Sequence, residues 1–177
     1  MTAAPTDAQP DVFVTDRECG ECGMCCKLFA IEALAKPANV WCVNYRRGQG
    51  CGIYETRPAP CRAFECGYLV YGFLDDSWRP DRCHFFIWLD ERRKLMVIEV
   101  DPAYPDAWRK APFYGALKQW SRRTRPDSPG FCAKVGQQIT MVFPEADIPL
   151  GLHQDRPIRS GYRMGPGGRY EPFAAWA

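Results

Sequence analysis

Residues 19–26 read Cys-Gly-Glu-Cys-Gly-Met-Cys-Cys, and residues 50–66 read Gly-Cys-Gly-Ile-Tyr-Glu-Thr-Arg-Pro-Ala-Pro-Cys-Arg-Ala-Phe-Glu-Cys. The first stretch places the thiols of Cys19, Cys22, Cys25 and Cys26 within a single loop. A Cys-x-x-Cys step sets two sulfurs in one tight turn, close enough to share an ion, and glycine in the turn lets backbone N–H groups face the sulfurs. Two such steps overlap here, and Cys26 follows at once. The side chains of Cys25 and Cys26 tend to diverge, so the two serve different ions or one is buried as a small hydrophobe. The second stretch adds Cys51, Cys61 and Cys66, and Cys42 lies between the two. Eight thiols match two separate tetrahedral four-thiolate zinc sites, and equally one iron–sulfur cluster with spare thiols. The spacing leaves both open.

The chain has 177 residues and 10 cysteines, so disulfides and metal compete for them. The opening residues 1–14 contain neither a basic n-region nor an apolar h-region, so they do not read as a secretory signal. No run approaches the roughly 20 apolar residues of a membrane helix. A cytoplasmic setting follows, in which thiols stay reduced and metal outweighs disulfides. The net charge of +2 gives little reason to invoke nucleic acid, although Arg122, Arg123 and Arg125, and Arg156, Arg159, Arg163 and Arg169, form local basic patches. Only His84 and His153 are present, and there is no Gly-rich phosphate loop, no HExxH and no nucleophile elbow. No catalytic residue and no reaction are assigned.

The full pattern is C-x-x-C-x-x-C-C, a spaced cysteine, then C-x-I-Y-x-x-R-P-x-x-C-R-x-F-x-C. It resembles the YkgJ-type cysteine-cluster family, described as a zinc- or iron-chelating domain. The resemblance covers roughly residues 15–70 and is carried by Cys19, Cys22, Cys25, Cys26, Cys42, Cys51, Cys61 and Cys66. Ile53, Tyr54, Arg57, Pro58, Arg62 and Phe64 frame them. It implies chelation of zinc or iron, possessing no established reaction, and it says little about residues 85–177. Cys83 and Cys132 fall outside the pattern and read as buried thiols, with Cys83, next to His84, the better spare ligand. Four thiolates around one divalent ion leave a formal charge of −2, so cations are expected nearby: Arg57 and Arg62 first, then Lys27, Arg46 and Arg47. Pro58 and Pro60 restrict the chain before Cys61, while Tyr54 and Phe64 read as apolar cover.

Outside the cysteines, residues 1–14 form a polar lead expected to be disordered, and residues 15–145 a single domain. In it a cysteine lobe (15–70) rests on a hairpin–helix–hairpin support (85–143). The runs at 85–89 and 95–100 flank a polar turn and predict one hairpin; those at 131–135 and 139–143 predict another. Between them, Pro105 suits a first helical turn and Pro112 starts a second helix, whose Phe113, Leu117 and Trp120 share an inward face. The Gly/Pro/Arg-rich tail, 146–177, is expected to lack regular structure. The expected fold class is α+β: an irregular cysteine-rich, metal-bound lobe with short helices, packed on a small antiparallel β-sheet and one amphipathic helix. Three functions follow in order: a metal-chelating protein whose metal is structural or stored, with an unknown protein partner; an iron–sulfur protein in electron transfer or supporting a partner enzyme; and a zinc-ribbon-like nucleic-acid-binding module.

Overall fold

A computed structural model describes residues 16–122 and 129–177. The expected disorder of the lead falls on residues outside these, as do Arg123 and Arg125. The cysteine lobe is built from short pieces: α1 (Met24–Leu28), a two-stranded ribbon of β1 (Tyr45–Arg46) and β2 (Gly50–Cys51), α2 (Ala59–Ala63) and α3 (Gly67–Val70). After α4 (Pro80–Cys83) come β3 (Phe85–Asp90), β4 (Leu95–Val100), α5 (Phe113–Ser121), β5 (Gly130–Val135), β6 (Gln138–Val142) and β7 (Asp147–Leu152). A terminal hairpin joins β8 (Ile158–Met164) to β9 (Tyr170–Trp176). Mixed helix and strand content makes the class α+β, as expected. No helix among the described residues is long and apolar enough to cross a membrane.

Two expectations need correction. The five-stranded sheet, in the order β3-β4-β5-β6-β7, is mixed rather than antiparallel: β4 and β5 run parallel, with Leu95 opposite Gly130 and Val100 opposite Val135. Two hairpins side by side suggest an antiparallel join. The connection between β4 and β5 instead carries α5 across the sheet, as parallel pairing requires a long crossover. The tail is also ordered, because β7 completes the sheet and β8 and β9 pair along seven registered positions. Its glycines conceal a strand pattern whose packing partner is another part of the chain: Ile158 and Trp176 lie against the sheet face bearing Leu95, Val97, Cys132 and Met141.

Both sheet faces are covered, which explains why the β3 and β4 runs are nearly continuous in apolar residues rather than alternating. One face presents Phe85, Ile87, Ile98 and Val100 to Leu117 of α5 and to Trp108, both fully buried. Phe113 and Trp120 of the expected α5 stripe pack on the same core, each with ring centroids 4.9 Å from Trp78. Of the helix expected to begin at Pro105, the structure has a single turn at Ala107–Arg109.

The opposite face seats the cysteine lobe. Phe86 of β3 is buried against Met24 and Leu28 of α1, and Phe29 and Phe64 close around it at 5.2 and 5.3 Å. Burial of each such large apolar side chain contributes about 1.5–3 kcal/mol. An ion pair adds to this seat: Lys27 Nζ meets Asp101, which is 3% exposed, at 2.5 Å. Lys27 is thereby directed to the end of β4 rather than to a sulfur.

Candidate metal centre

The local sequence explains how the two cysteine blocks meet. Gly50 has φ +82°, and a side chain there would strike the carbonyl of Gly20. This close approach presses β2, which ends in Cys51, against the Cys19–Cys22 turn. Gly23 leaves room in the same way for the ring of Tyr45, whose own strand pairs with Cys51. Cys25 and Cys26 ride on α1. Cys61 is carried by α2, whose first turn holds the prolines that preset its geometry. Cys66 precedes α3. Cys42 joins through its own N–H, which donates to the carbonyl of Cys26 at 3.1 Å.

The eight thiols surround two adjoining cavities. Cys19, Cys22, Cys25, Cys26, Cys42, Cys51 and Cys61 line the first, of about 60 Å³; Cys66 lines the second with Cys19, Cys22, Cys25 and Cys61. Among the described residues, no three or more Cys, His, Asp or Glu side chains are gathered into a ready-made chelating group. The sulfurs border a space instead of converging on a point. That space equals roughly the liquid volume of two water molecules, ample for ions.

The donors fit a thiolate-bound metal on two counts. Backbone N–H groups face the sulfurs: those of Met24 and Asp81 toward Cys22, of Ile53 toward Cys51, and of Tyr68 and Leu69 toward Cys66. Such donors favour the charged sulfur over the neutral one. The second count is proton affinity. The S–H of Cys25 is offered to Cys19 and Cys26, and chiefly for that reason both are lowered to about 7, while Cys25 is itself raised. Burial pushes Cys22 up to about 11 and Cys66 to about 12, and it raises Cys51 and Cys61. A metal bound here would displace protons from most of these thiols, so its affinity would increase with pH.

Among the expected cations, Arg57 is the one placed to serve the cluster. It lines both cavities, and its charge helps to lower Cys19 and Cys26 and opposes the rise that burial gives Cys51 and Cys61. Its Nε donates to the Tyr54 carbonyl at 2.7 Å and its guanidinium lies 3.5 Å over the Tyr54 ring, so it is held in place. Arg62 borders only the second cavity and donates to the Arg57 carbonyl at 2.6 Å; it braces Arg57. Arg46 lies over Gly52 and lines neither cavity. Tyr54 and Phe64 do line the thiol cavity. Cys83 and His84 line neither: the Cys83 thiol donates to the Phe85 carbonyl at 3.0 Å and burial pushes it up to about 12, while His84 stacks on Tyr104 at 3.7 Å. Cys132 is buried in β5, with the same upward shift to about 12.

The residue missed in the sequence is Lys36. It is 6% exposed, and its ammonium donates to the carbonyls of Lys27, at 2.7 Å, and of Phe29. These close the carboxyl end of α1, the helix that carries Cys25 and Cys26. Burial lowers its pKa, and the charges of Cys42, Cys26, Cys25 and Cys61 work in the opposite direction. Lys36 lines neither cavity, yet its charge and those of Cys25, Cys26, Cys42 and Cys61 act on each other, so it is a counter-charge built into the fold. The only signal is a lysine in the mostly apolar stretch Ile31–Pro37, which also holds Glu32 and reads equally well as a solvated surface segment.

Comparison with family models, with curated proteins and with solved structures finds no match to this chain.

Proposed function

We propose that this protein chelates a metal, zinc or iron, through the thiolates of its cysteine lobe, and that the metal is structural or stored. The reading rests on one observation: eight cysteines from separate elements border two adjoining cavities, and backbone N–H groups face several of their sulfurs. The motif resemblance to the YkgJ-type cysteine-cluster family points to the same chemistry. Cys19, Cys22, Cys25, Cys26, Cys42, Cys51, Cys61 and Cys66 are the proposed ligands, with Arg57 and Lys36 offsetting their charge.

An iron–sulfur cluster is the second reading. What favours it is that Cys19, Cys22, Cys25 and Cys61 border both cavities, so the ligands do not divide cleanly into two independent groups of four. Anaerobic purification followed by elemental analysis and an absorption spectrum separates the two. A colourless protein holding about two zinc ions supports paired four-thiolate sites, and a brown protein with acid-labile sulfide supports the cluster. A protein that takes up neither zinc nor iron after anaerobic reconstitution, with all eight thiols titratable, refutes both.

A further inference from the structure

A cavity of about 340 Å³ lies on the sheet face between the cysteine lobe and the terminal hairpin, and it shares none of the proposed metal ligands. Its volume falls within the range of small-molecule sites. Leu95, Val97 and Ile139 form an apolar floor, and Trp88 and Trp176 supply flat aromatic walls. Trp176 is fixed by its Nε1–H, which donates to the Leu150 carbonyl at 2.9 Å.

The polar groups facing this space are unevenly matched. Asp90 accepts from Arg93 at both oxygens, from the backbone N–H at 3.0 Å and from Nη1 at 2.9 Å. Glu99, behind the wall, accepts from Lys134 at 2.6 Å and from Trp88 Nε1 at 3.4 Å. Each oxygen of Asp90 and Glu99 thus already accepts one hydrogen bond, and among the described residues the two cations retain donors beyond those they use. Arg93 uses one N–H on Asp90 and one on Asp155, which is 79% exposed and so contributes little. A guanidinium carries five donors and an ammonium three. Lys134 makes one recorded bond among the described residues. Its side chain is 23% exposed and that of Arg93 15%, so a partner gained in the cavity is shielded from water. His153, also on the wall, is held toward its neutral form by burial and by the nearby Arg93 and Lys134.

We propose that this cavity binds a small organic carboxylate with a flat, apolar body. The carboxylate meets the free N–H groups of Arg93 and Lys134, and the body lies on the apolar floor between the tryptophans. A cationic ligand would have to compete with Arg93 and Lys134 for Asp90 and Glu99. A polyanion exceeds the two cations that face the space. The site is independent of the thiol reading, since none of the eight cysteines lines it.

The test uses the full chain with phenylacetate and its neutral isostere phenylacetamide, by titration calorimetry and tryptophan fluorescence, to which Trp88 and Trp176 contribute two of the six emitters. Phenylacetate is expected to bind one to one and shift the emission, with the amide at least about tenfold weaker, as the loss of a charge-assisted hydrogen bond implies. Arg93→Gln is expected to weaken phenylacetate by about 10- to 100-fold. Ala38→Leu, on a lobe loop lining the cavity, adds bulk without touching a charge and is expected to abolish binding while circular dichroism stays unchanged. No heat and no emission shift with phenylacetate, equal affinity for the amide, or unchanged binding in a folded Ala38→Leu protein each overturns the proposal.

Discussion

Replacing Lys36 with methionine tests whether the fold carries its own counter-charge for the metal. Methionine retains most of the buried stem, so the change is largely the loss of one ammonium. Two consequences separate. The carbonyls of Lys27 and Phe29 lose a donor, and an unsatisfied buried acceptor costs about 1–3 kcal/mol. The sum, roughly 2–6 kcal/mol, is reduced because the desolvation of a buried charge is also relieved. The metal-free Lys36→Met protein is therefore expected to unfold at lower denaturant. The second effect appears only with metal bound. Four thiolates on a divalent ion leave a charge of −2, and Lys36 is the buried cation among Cys25, Cys26, Cys42 and Cys61. Its loss should weaken metal retention by about 10–100-fold, the usual effect of removing a residue that supports ligands without binding the ion. Zinc affinity is measured by competition with a chromophoric chelator, and metal-free stability by urea unfolding. If Lys36→Met is destabilised without metal yet holds zinc as tightly as wild type, Lys36 only closes α1 and the counter-charge reasoning is wrong.

Arg57→Gln should likewise weaken metal retention by about 10–100-fold, and Arg62→Gln by less, because Arg62 reaches the cluster through the Arg57 carbonyl; equal losses in the same chelator competition would contradict this order. Cys22→Ser and Cys61→Ser should lower metal content per folded molecule as read by elemental analysis, whereas Cys132→Ser should leave it unchanged while lowering the unfolding free energy by about 1–3 kcal/mol in urea titration, since a hydroxyl replaces a buried thiol. Glu99 predicts a pH effect. Burial raises its pKa above the ordinary value of 4.5, and Lys134 only partly offsets this. The native state therefore holds its proton to higher pH than the unfolded state, and stability falls as pH rises from the unfolded value through the raised one. Urea midpoints of wild type should show this decline and those of Glu99→Gln should not; parallel curves would assign the slope to another group.

The cysteine lobe was the most legible part of the chain, because thiol spacing is a chemical signal that needs no tertiary context. The two predicted hairpins also stand close to β3–β4 and β5–β6, since their β-branched and aromatic runs are bounded by polar turns. What escaped reading depended on distant partners. The parallel join of β4 to β5 leaves no mark in either strand; it follows from where α5 crosses. The tail strands are rich in Gly, Pro and Arg, and they become strands by pairing with each other and by covering a sheet face that the sequence cannot display. Lys36 shows the same limit, because its closure of α1 depends on a turn at Ile31–Lys36, whereas Arg57, close to Cys61 in sequence, is expected from that place.

The seating of Met24 and Leu28 on Phe86 has a consequence for the order in which the protein is made. All eight proposed ligands leave the ribosome before β3, and the partner strand β4 ends at Val100, well after Cys66. At about 5–20 residues per second, that interval lasts roughly 2–7 s. For that time the nascent chain carries eight thiols with no hydrophobic floor beneath them and no Asp101 to receive Lys27. Those seconds are the period in which the thiols are open to oxidants or to a softer metal, and the pairing of β3 with β4 ends it.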